Sequence, residues 1–356
     1  MKYLTLPFWC SLAFITAFSG CKKAEQPATP APQTEVRPAT PIQPEKAKQA
    51  TTPAPKPAAN LEKGVVLKVK WPVGNRYVYR MDLDQHTTNN VPQMPKPMQQ
   101  DLTMAMTYAI SVPKETANGG HELEMEFLAN EMEIKVGGQT MMSFDSKEPP
   151  AAGNPIAEPL RKMIGSKVRM EVDADGKVQK VLNLDEWSNS LAGDGGPAKG
   201  LLAQQFNESF FRQIAGFGIG LPDKAVDVGN TWPFQMDIPA GMMGKITLNS
   251  QITFKGWEDK EKHHCAVLQT TGTIKGGPGQ EMGPMRMTVD EGKITGTSWF
   301  DPDLGALIET VGDQAMHLKG DMPGAPGNAQ PAAGGFTVDL GQKVTLKLVE
   351  LGKTGQ

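Results

Sequence analysis

Leu102-Thr103-Met104-Ala105-Met106-Thr107-Tyr108-Ala109-Ile110 places a large apolar side chain at every second position and a small or hydroxylated one between. Successive strand residues point to opposite faces, so this stretch reads as an antiparallel strand with one face against a core. The same alternation returns in Leu123, Met125 and Phe127, set between Glu122, Glu124 and Glu126, and then in Met132, Ile134 and Val136. Later it runs through Ile246, Leu248, Ile252 and Phe254, through Ala266 and Leu268 beyond an expected turn from Trp257 to His263, and through Phe336, Val338 and Leu340 into Val344, Leu346 and Leu348. The outward glutamates mark a solvated sheet face. Gly352 to Gln356 is expected to fray.

Between these strands stand hairpin signals. Val168, Met170 and Val172 lead into Asp173-Ala174-Asp175-Gly176, and Trp299-Phe300 leads into Asp301-Pro302-Asp303-Leu304-Gly305. Aspartate accepts hydrogen bonds from turn amides and glycine takes the left-handed conformation, so both predict tight turns. A calcium loop needs further oxygen ligands and a closing glutamate, which neither supplies.

An internal repeat organises the chain. Val73-Gly74-Asn75-Arg76-Tyr77-Val78-Tyr79-Arg80-Met81-Asp82-Leu83 matches Val228-Gly229-Asn230-Thr231-Trp232-Pro233-Phe234-Gln235-Met236-Asp237-Ile238. Helical signals lie between the copies. Asn183-Leu184-Asp185-Glu186 resembles a capping box, with Leu184, Trp187 and Leu191 on one face, and Leu202, Phe206, Phe210 and Ile214 fall at fourfold spacing within 197–216. A shorter helix is expected over Pro155 to Met163, ended by Gly165. The expected fold is mainly β: two related antiparallel β units, as a sandwich or a partly open barrel, with two or three helices inserted mid-chain. The expected divisions are 1–20, 21–60, a first unit over 61–182, a helical insert over 183–222 and a second unit over 223–356, packed with the first.

At the N-terminus, Lys2 precedes an apolar run from Leu4 to Phe18, long enough for a secretory signal and too short to span a bilayer. The run, the small residues Ser19 and Gly20, and Cys21 resemble the signal and lipobox of bacterial lipoproteins. That resemblance implies cleavage before Cys21 and attachment of fatty acyl chains to its thiol. Lys22 at the next position implies, by the same resemblance, forwarding to the outer membrane, facing the periplasm. The alternative is an ordinary secretory signal with Cys21 a free thiol. Of the three cysteines, Cys10 departs with the signal, which leaves Cys265 without a disulfide partner and best read as a buried structural thiol.

Residues 22–60 hold nine prolines and nine alanines, with Val36 and Ile42 as the only large aliphatics. Such a tract buries too little to offset ordering entropy and predicts a disordered stalk. It carries six basic and three acidic residues; with Lys2 it holds four units of positive excess, so the remainder stands at −7 against −3 for the whole chain. An acidic body without a basic stripe argues against nucleic acid.

Chemical motifs are sparse. No Gly-x-Ser-x-Gly elbow is present, and Gly193 to Gly200 lacks the Gly-Lys-Ser/Thr ending of a phosphate loop. Ser111-Val112-Pro113-Lys114 and Lys353-Thr354-Gly355 mimic two elements of penicillin-binding enzymes, but no Ser-Asp-Asn element joins them. His263-His264-Cys265 are strand neighbours that point to opposite faces, so they cannot all ligate one ion locally. No catalytic, cofactor-binding or metal residue is assigned and no cofactor is expected; Cys21 is the one predicted site, as the lipidation site. Methionine is the compositional anomaly. Nineteen follow Met1, among them Met104, Met106, Met125, Met132, Met141, Met142, Met170, Met242, Met243, Met282, Met285 and Met287. Pliable thioethers fill a loosely packed β core or line an apolar cavity.

Signal, Pro/Ala stalk, Val-Gly-Asn-x-aromatic opening, mid-chain helices and Asp-x-Asp-Gly hairpin together resemble uncharacterised β-rich bacterial lipoproteins carrying a domain of unknown function. The resemblance brings no catalytic residues. The expectation is a non-enzymatic envelope module held at the membrane through Cys21, binding an apolar or lipid-like ligand or an envelope protein partner. A structural envelope protein without a small ligand, and an envelope enzyme, are the alternatives.

Overall fold

The computed structural model describes residues 64–92, 94–149, 157–192, 206–215, 220–239, 245–276, 286–321 and 335–354. These all fall in one compact unit. The expected signal, Cys21, the stalk, Leu202, Met242, Met243, Met282 and Met285 lie outside the described residues.

Twelve strands form one antiparallel sheet: β1 (Asn75–Asn90), β2 (Met98–Glu115), β3 (His121–Val136), β4 (Gln139–Asp145), β5 (Lys167–Val172), β6 (Val178–Val181), β7 (Thr231–Pro239), β8 (Lys245–Lys260), β9 (His263–Gly276), β10 (Arg286–Asp301), β11 (Ala306–Asp321) and β12 (Phe336–Lys353). Their order is β6-β5-β3-β2-β1-β12-β11-β10-β9-β8-β7, with β4 beside the second half of β3. Among the described residues the sheet is open, since no ladder joins β6 to β7. Neighbouring strands are consecutive in sequence except β3 and β5, between which β4 branches off, and the seam, where β1 pairs with β12 from Asn75↔Lys353 to Asn90↔Thr337. The repeat motifs run into and form the first part of β1, in the middle of the sheet, and most of β7, at its edge. Gly74 (φ 84°) and Gly229 (φ 91°) make the same left-handed step in both copies.

The expected alternation is present: Leu102, Met106, Tyr108 and Ile110 are each at most 3% exposed, as are Leu123, Met125 and Phe127. Met104 is only half-buried. A bulge between Thr107 and Tyr108 drops Leu128 from the pairing with β2, and this moves the buried phase of β3 from odd to even positions, Asn130 and Met132. Asp173 Oδ1 accepts from the amides of Asp175 and Lys177, and Asp301 Oδ1 from those of Asp303 and Leu304, so both aspartate turns form as expected.

Three helices are present among the described residues: α1 (Ala157–Met163), α2 (Leu184–Ala192) and α3 (Glu208–Ala215). Trp187 stacks on Phe127 at 5.7 Å, with Phe206 and Phe211 edge-on to both rings. These contacts bury α2 and α3 against β3. Four local expectations are corrected. Asn183 does not cap α2 with its side chain; it bonds β5 instead, accepting from Arg169 N and donating to Lys167 O. The buried stripe of α3 is Phe211, Ile214 and Ala215 rather than one through Phe210, because Asn207 starts the helix by accepting from the Phe210 amide and the i,i+3 pair then turns inward. Trp257 belongs to β8, since the β8–β9 turn is only Glu261-Lys262, both left-handed (φ 49° and 78°). The last strand is held as far as Thr354, whose amide donates to Gly74 O at 2.8 Å.

A strap precedes β1. Val65 bridges to Val226, Lys68 pairs with Asp175 at 2.9 Å and the Lys70 amide donates to Gly305 O. Leu67 and Trp71 are buried beneath it, each 2% exposed. The strap thereby ties the β5–β6 turn, the β10–β11 turn and the lead into β7. Arg212 of α3 donates to the carbonyls of Val178 and Gln179, so the helix covers edge strand β6.

Candidate functional site

The buried face of the sheet changes character along its strands. At the end carrying the strap it is aromatic: Tyr77, Tyr79, Tyr108, Phe127, Phe254 and Phe300 have no exposed surface. Tyr79 and Tyr108 stack at 5.9 Å, and the Tyr79 hydroxyl reaches across β12 to donate to Leu307 O at 3.0 Å. Burial pushes both phenols above their ordinary range.

Toward the other end, three glutamines occupy the same apolar phase on adjacent strands. Gln85 of β1 lies opposite Gln342 of β12, which lies opposite Gln314 of β11. Directly opposed side chains have Cβ atoms about 5 Å apart, so the three amides form a ladder across the seam. Each residue is 4% exposed. Leu102 and Ile294 continue the row on either side. Gln85 Nε2 donates to Thr87 Oγ1 at 3.3 Å and Gln314 Nε2 meets Met316 Sδ at 3.4 Å. Gln85 Oε1, Gln314 Oε1 and both polar atoms of Gln342 have no partner among the described residues. Leaving a buried amide group unsatisfied costs about 1–3 kcal/mol, so four such atoms in one row are unusual for a packing surface.

Acid and base groups lie elsewhere. His86 bonds Asp101 at 2.6 Å and His317 bonds Asp339 at 2.7 Å on the exposed face, with Gly341 and Ala315 forming a shallow hollow between the two pairs. His264 bonds Asp259 and stacks on Trp257 at 4.9 Å. His263 bonds the second oxygen of Asp301, which makes that pair a clamp on the β10–β11 turn. Cys265 is fully buried, and burial, followed by the Asp301 carboxylate, pushes its thiol up to about 12, so it stays protonated and unreactive. Among the described residues no three His, Cys, Asp or Glu side chains converge as a metal set.

Of the predicted residues, Met106, Met125, Met132, Met170 and Met287 line the buried face, each at most 7% exposed, while Met141 is 66% exposed. Sequence reasoning missed the glutamine ladder. Its signal was a polar residue in apolar phase on three strands: Leu83-x-Gln85-x-Thr87, Leu340-x-Gln342-x-Val344 and Gly312-x-Gln314-x-Met316.

A family model described as a family of unknown function (DUF6263) matches residues 118–307, more than half of the chain. No curated protein matches the sequence. Among solved structures the chain is similar to one titled for lipid–protein interactions in lipovitellin, at 12% identity and a TM-score of 0.42, covering 81% of this chain and 26% of that one. It thus spans about a quarter of that chain. A putative outer membrane lipoprotein-sorting protein domain from Vibrio parahaemolyticus is similar at 10% identity and a TM-score of 0.16, covering 80% of this chain and 87% of that one. OpdQ of Pseudomonas aeruginosa is similar at 7% identity and a TM-score of 0.22, covering 77% and 99% respectively.

Proposed function

The chain belongs to the family of unknown function DUF6263, and on that premise we propose that it is a non-enzymatic binding module of the bacterial envelope, anchored through lipid on Cys21, whose buried sheet face takes up an apolar, lipid-like ligand. One observation carries the reading. Eight strand methionines, Met81, Met106, Met125, Met132, Met170, Met236, Met287 and Met316, are at most 7% exposed, while Asp301 is the only carboxylate among the buried described residues. Thioethers on flexible, unbranched side chains repack around guests of varied shape. A face without acid–base pairs supports sequestration of a ligand rather than turnover.

The anchor follows from the lipobox-like Phe18-Ser19-Gly20-Cys21 and the Pro/Ala stalk, which reaches on the order of 100 Å when extended at about 3.1 Å per residue. The binding part is tested by organic extraction of the purified protein and mass spectrometry, together with uptake of the uncharged fluorophore N-phenylnaphthylamine. A co-purifying apolar species and saturable uptake are expected; an empty extract with no uptake refutes the reading. The anchor is tested separately by labelling cells with radioactive palmitate. Label on the wild-type chain and none on Cys21→Ala is the expected pair of results, and an unlabelled wild-type chain refutes the anchor.

A further inference from the structure

We infer that the Gln85, Gln342 and Gln314 ladder is a binding site for the uncharged, hydrogen-bonding head of a single-chain amphiphile, a primary amide or hydroxyl on an apolar tail. The inference rests on the interior-ligand reading and names the part of the ligand which that reading leaves open.

Three features of the ladder fit a ligand head. Antiparallel register sets the side chains in one row, Gln85 opposite Gln342 and Gln342 opposite Gln314, so a small polar group over the central Gln342 has a glutamine amide on either side of it. The free atoms are three acceptors, the Oε1 of each glutamine, and one donor group, Gln342 Nε2. A primary amide, with two N–H donors and a carbonyl, complements that set, and a hydroxyl satisfies part of it. Apart from Thr87, already bonded to Gln85, the surroundings are apolar: Leu83 and Val344 flank the row on one side and Leu340 and Met316 on the other, each at most 7% exposed. A tail lying along these strands stays out of water while its head meets the amides.

The same face excludes charged heads. Among the described residues no lysine, arginine or histidine is buried. A phosphate or carboxylate drawn to the ladder is desolvated without a counter-charge, which is far costlier than burying a neutral group that finds hydrogen bonds.

The test uses the full chain with N-phenylnaphthylamine bound and three displacing ligands of equal tail length: dodecanamide, dodecyl phosphate and dodecane. In the wild-type protein dodecanamide displaces the fluorophore at a concentration about tenfold to a hundredfold lower than either of the others, as expected for two or three neutral hydrogen bonds. The triple variant Gln85→Met, Gln314→Met, Gln342→Met keeps fluorophore uptake and loses the amide preference. Gln342→Met alone, which changes one side chain and is checked by circular dichroism, loses at least half of that preference on a logarithmic scale. Equal displacement by all three ligands, or an amide preference that survives in the variants, overturns the inference and leaves the interior-ligand reading standing. Failure of the wild-type protein to take up the fluorophore overturns both.

Discussion

Tyr79 and Tyr108 offer a matched pair of substitutions with opposite expected signs. Their rings stack 5.9 Å apart with 27° between planes, and neither has exposed surface. Only the hydroxyls differ: that of Tyr79 donates to Leu307 O at 3.0 Å, while that of Tyr108 has no partner among the described residues. Tyr79→Phe removes a buried hydrogen bond and takes away the hydroxyl donor that Leu307 O accepts from, a loss of about 1–2 kcal/mol. Tyr108→Phe removes a hydroxyl that is desolvated without compensation, a gain of about 1 kcal/mol. At about 2–4 °C per kcal/mol for a domain of this size, the two variants melt about 4–12 °C apart on either side of wild type. Thermal unfolding followed by circular dichroism at pH 8 measures this, and urea unfolding gives the corresponding free energies. Alkali adds a second arm. Burial holds both phenols above the ordinary 10, so the fold binds more protons than the unfolded chain once pH exceeds that value. Their contribution is therefore whole below pH 10 and falls above it, by about 1.4 kcal/mol per pH unit for each tyrosine. Tyr108→Phe should flatten that decline. A Tyr108→Phe protein that loses 1 kcal/mol or more at pH 8 refutes the reasoning, because the hydroxyl then has a partner.

Cys265 should resist a thiol reagent such as dithionitrobenzoate at pH 8 until the protein is unfolded, and its contribution to stability, whole below pH 9, should decline as pH rises toward about 12; rapid labelling of the folded protein contradicts its burial. Lys262→Gly relieves a left-handed residue at φ 78° and should raise stability by about 1 kcal/mol in urea titrations, with no change counting against strain at that turn. Gly305→Ala combines φ 67° with a Cβ that would lie 2.4 Å from Lys70 Cβ, so a loss of about 2–4 kcal/mol and earlier proteolytic cleavage near residues 64–72 are expected; wild-type stability removes the strap from the account.

Local chemistry made most of the strands and turns readable. Alternation in Leu102 to Ile110 depends only on neighbours two residues apart, and Asp173 and Asp301 bond amides within four residues of themselves, so short-range rules suffice. The seam between β1 and β12 does not follow from such rules. It pairs residues 247 to 278 positions apart, and nothing within Asn75–Asn90 distinguishes a central strand from an edge one, which is why one shared sheet and two separate units read alike. Phe211 was hidden because fourfold spacing points from Phe206 to Phe210, whereas the helix that Asn207 opens turns Phe211 and Ile214 inward. The ladder was hidden for a different reason. A polar residue in apolar phase is a routine interruption on any single strand, and it gains meaning only when the register places Gln85, Gln342 and Gln314 in one row.

That row sets stability against binding. Four unpaired buried atoms at about 1–3 kcal/mol each make a sum comparable to the 5–15 kcal/mol that separates a typical fold from its unfolded chain. A sheet kept only for its own stability does better with leucine or methionine there, as Leu102 and Ile294 in the same row illustrate. Replacing all three glutamines by methionine should thus stabilise the empty protein by a few kcal/mol. The amide-bearing amphiphile should then raise the melting temperature of the wild-type protein more than that of the variant, because a ligand bound only by the folded state adds stability in proportion to the logarithm of its saturation. A triple variant that is less stable than wild type and equally stabilised by dodecanamide would mean that the glutamines satisfy one another, and the ladder would then be core and not the head site.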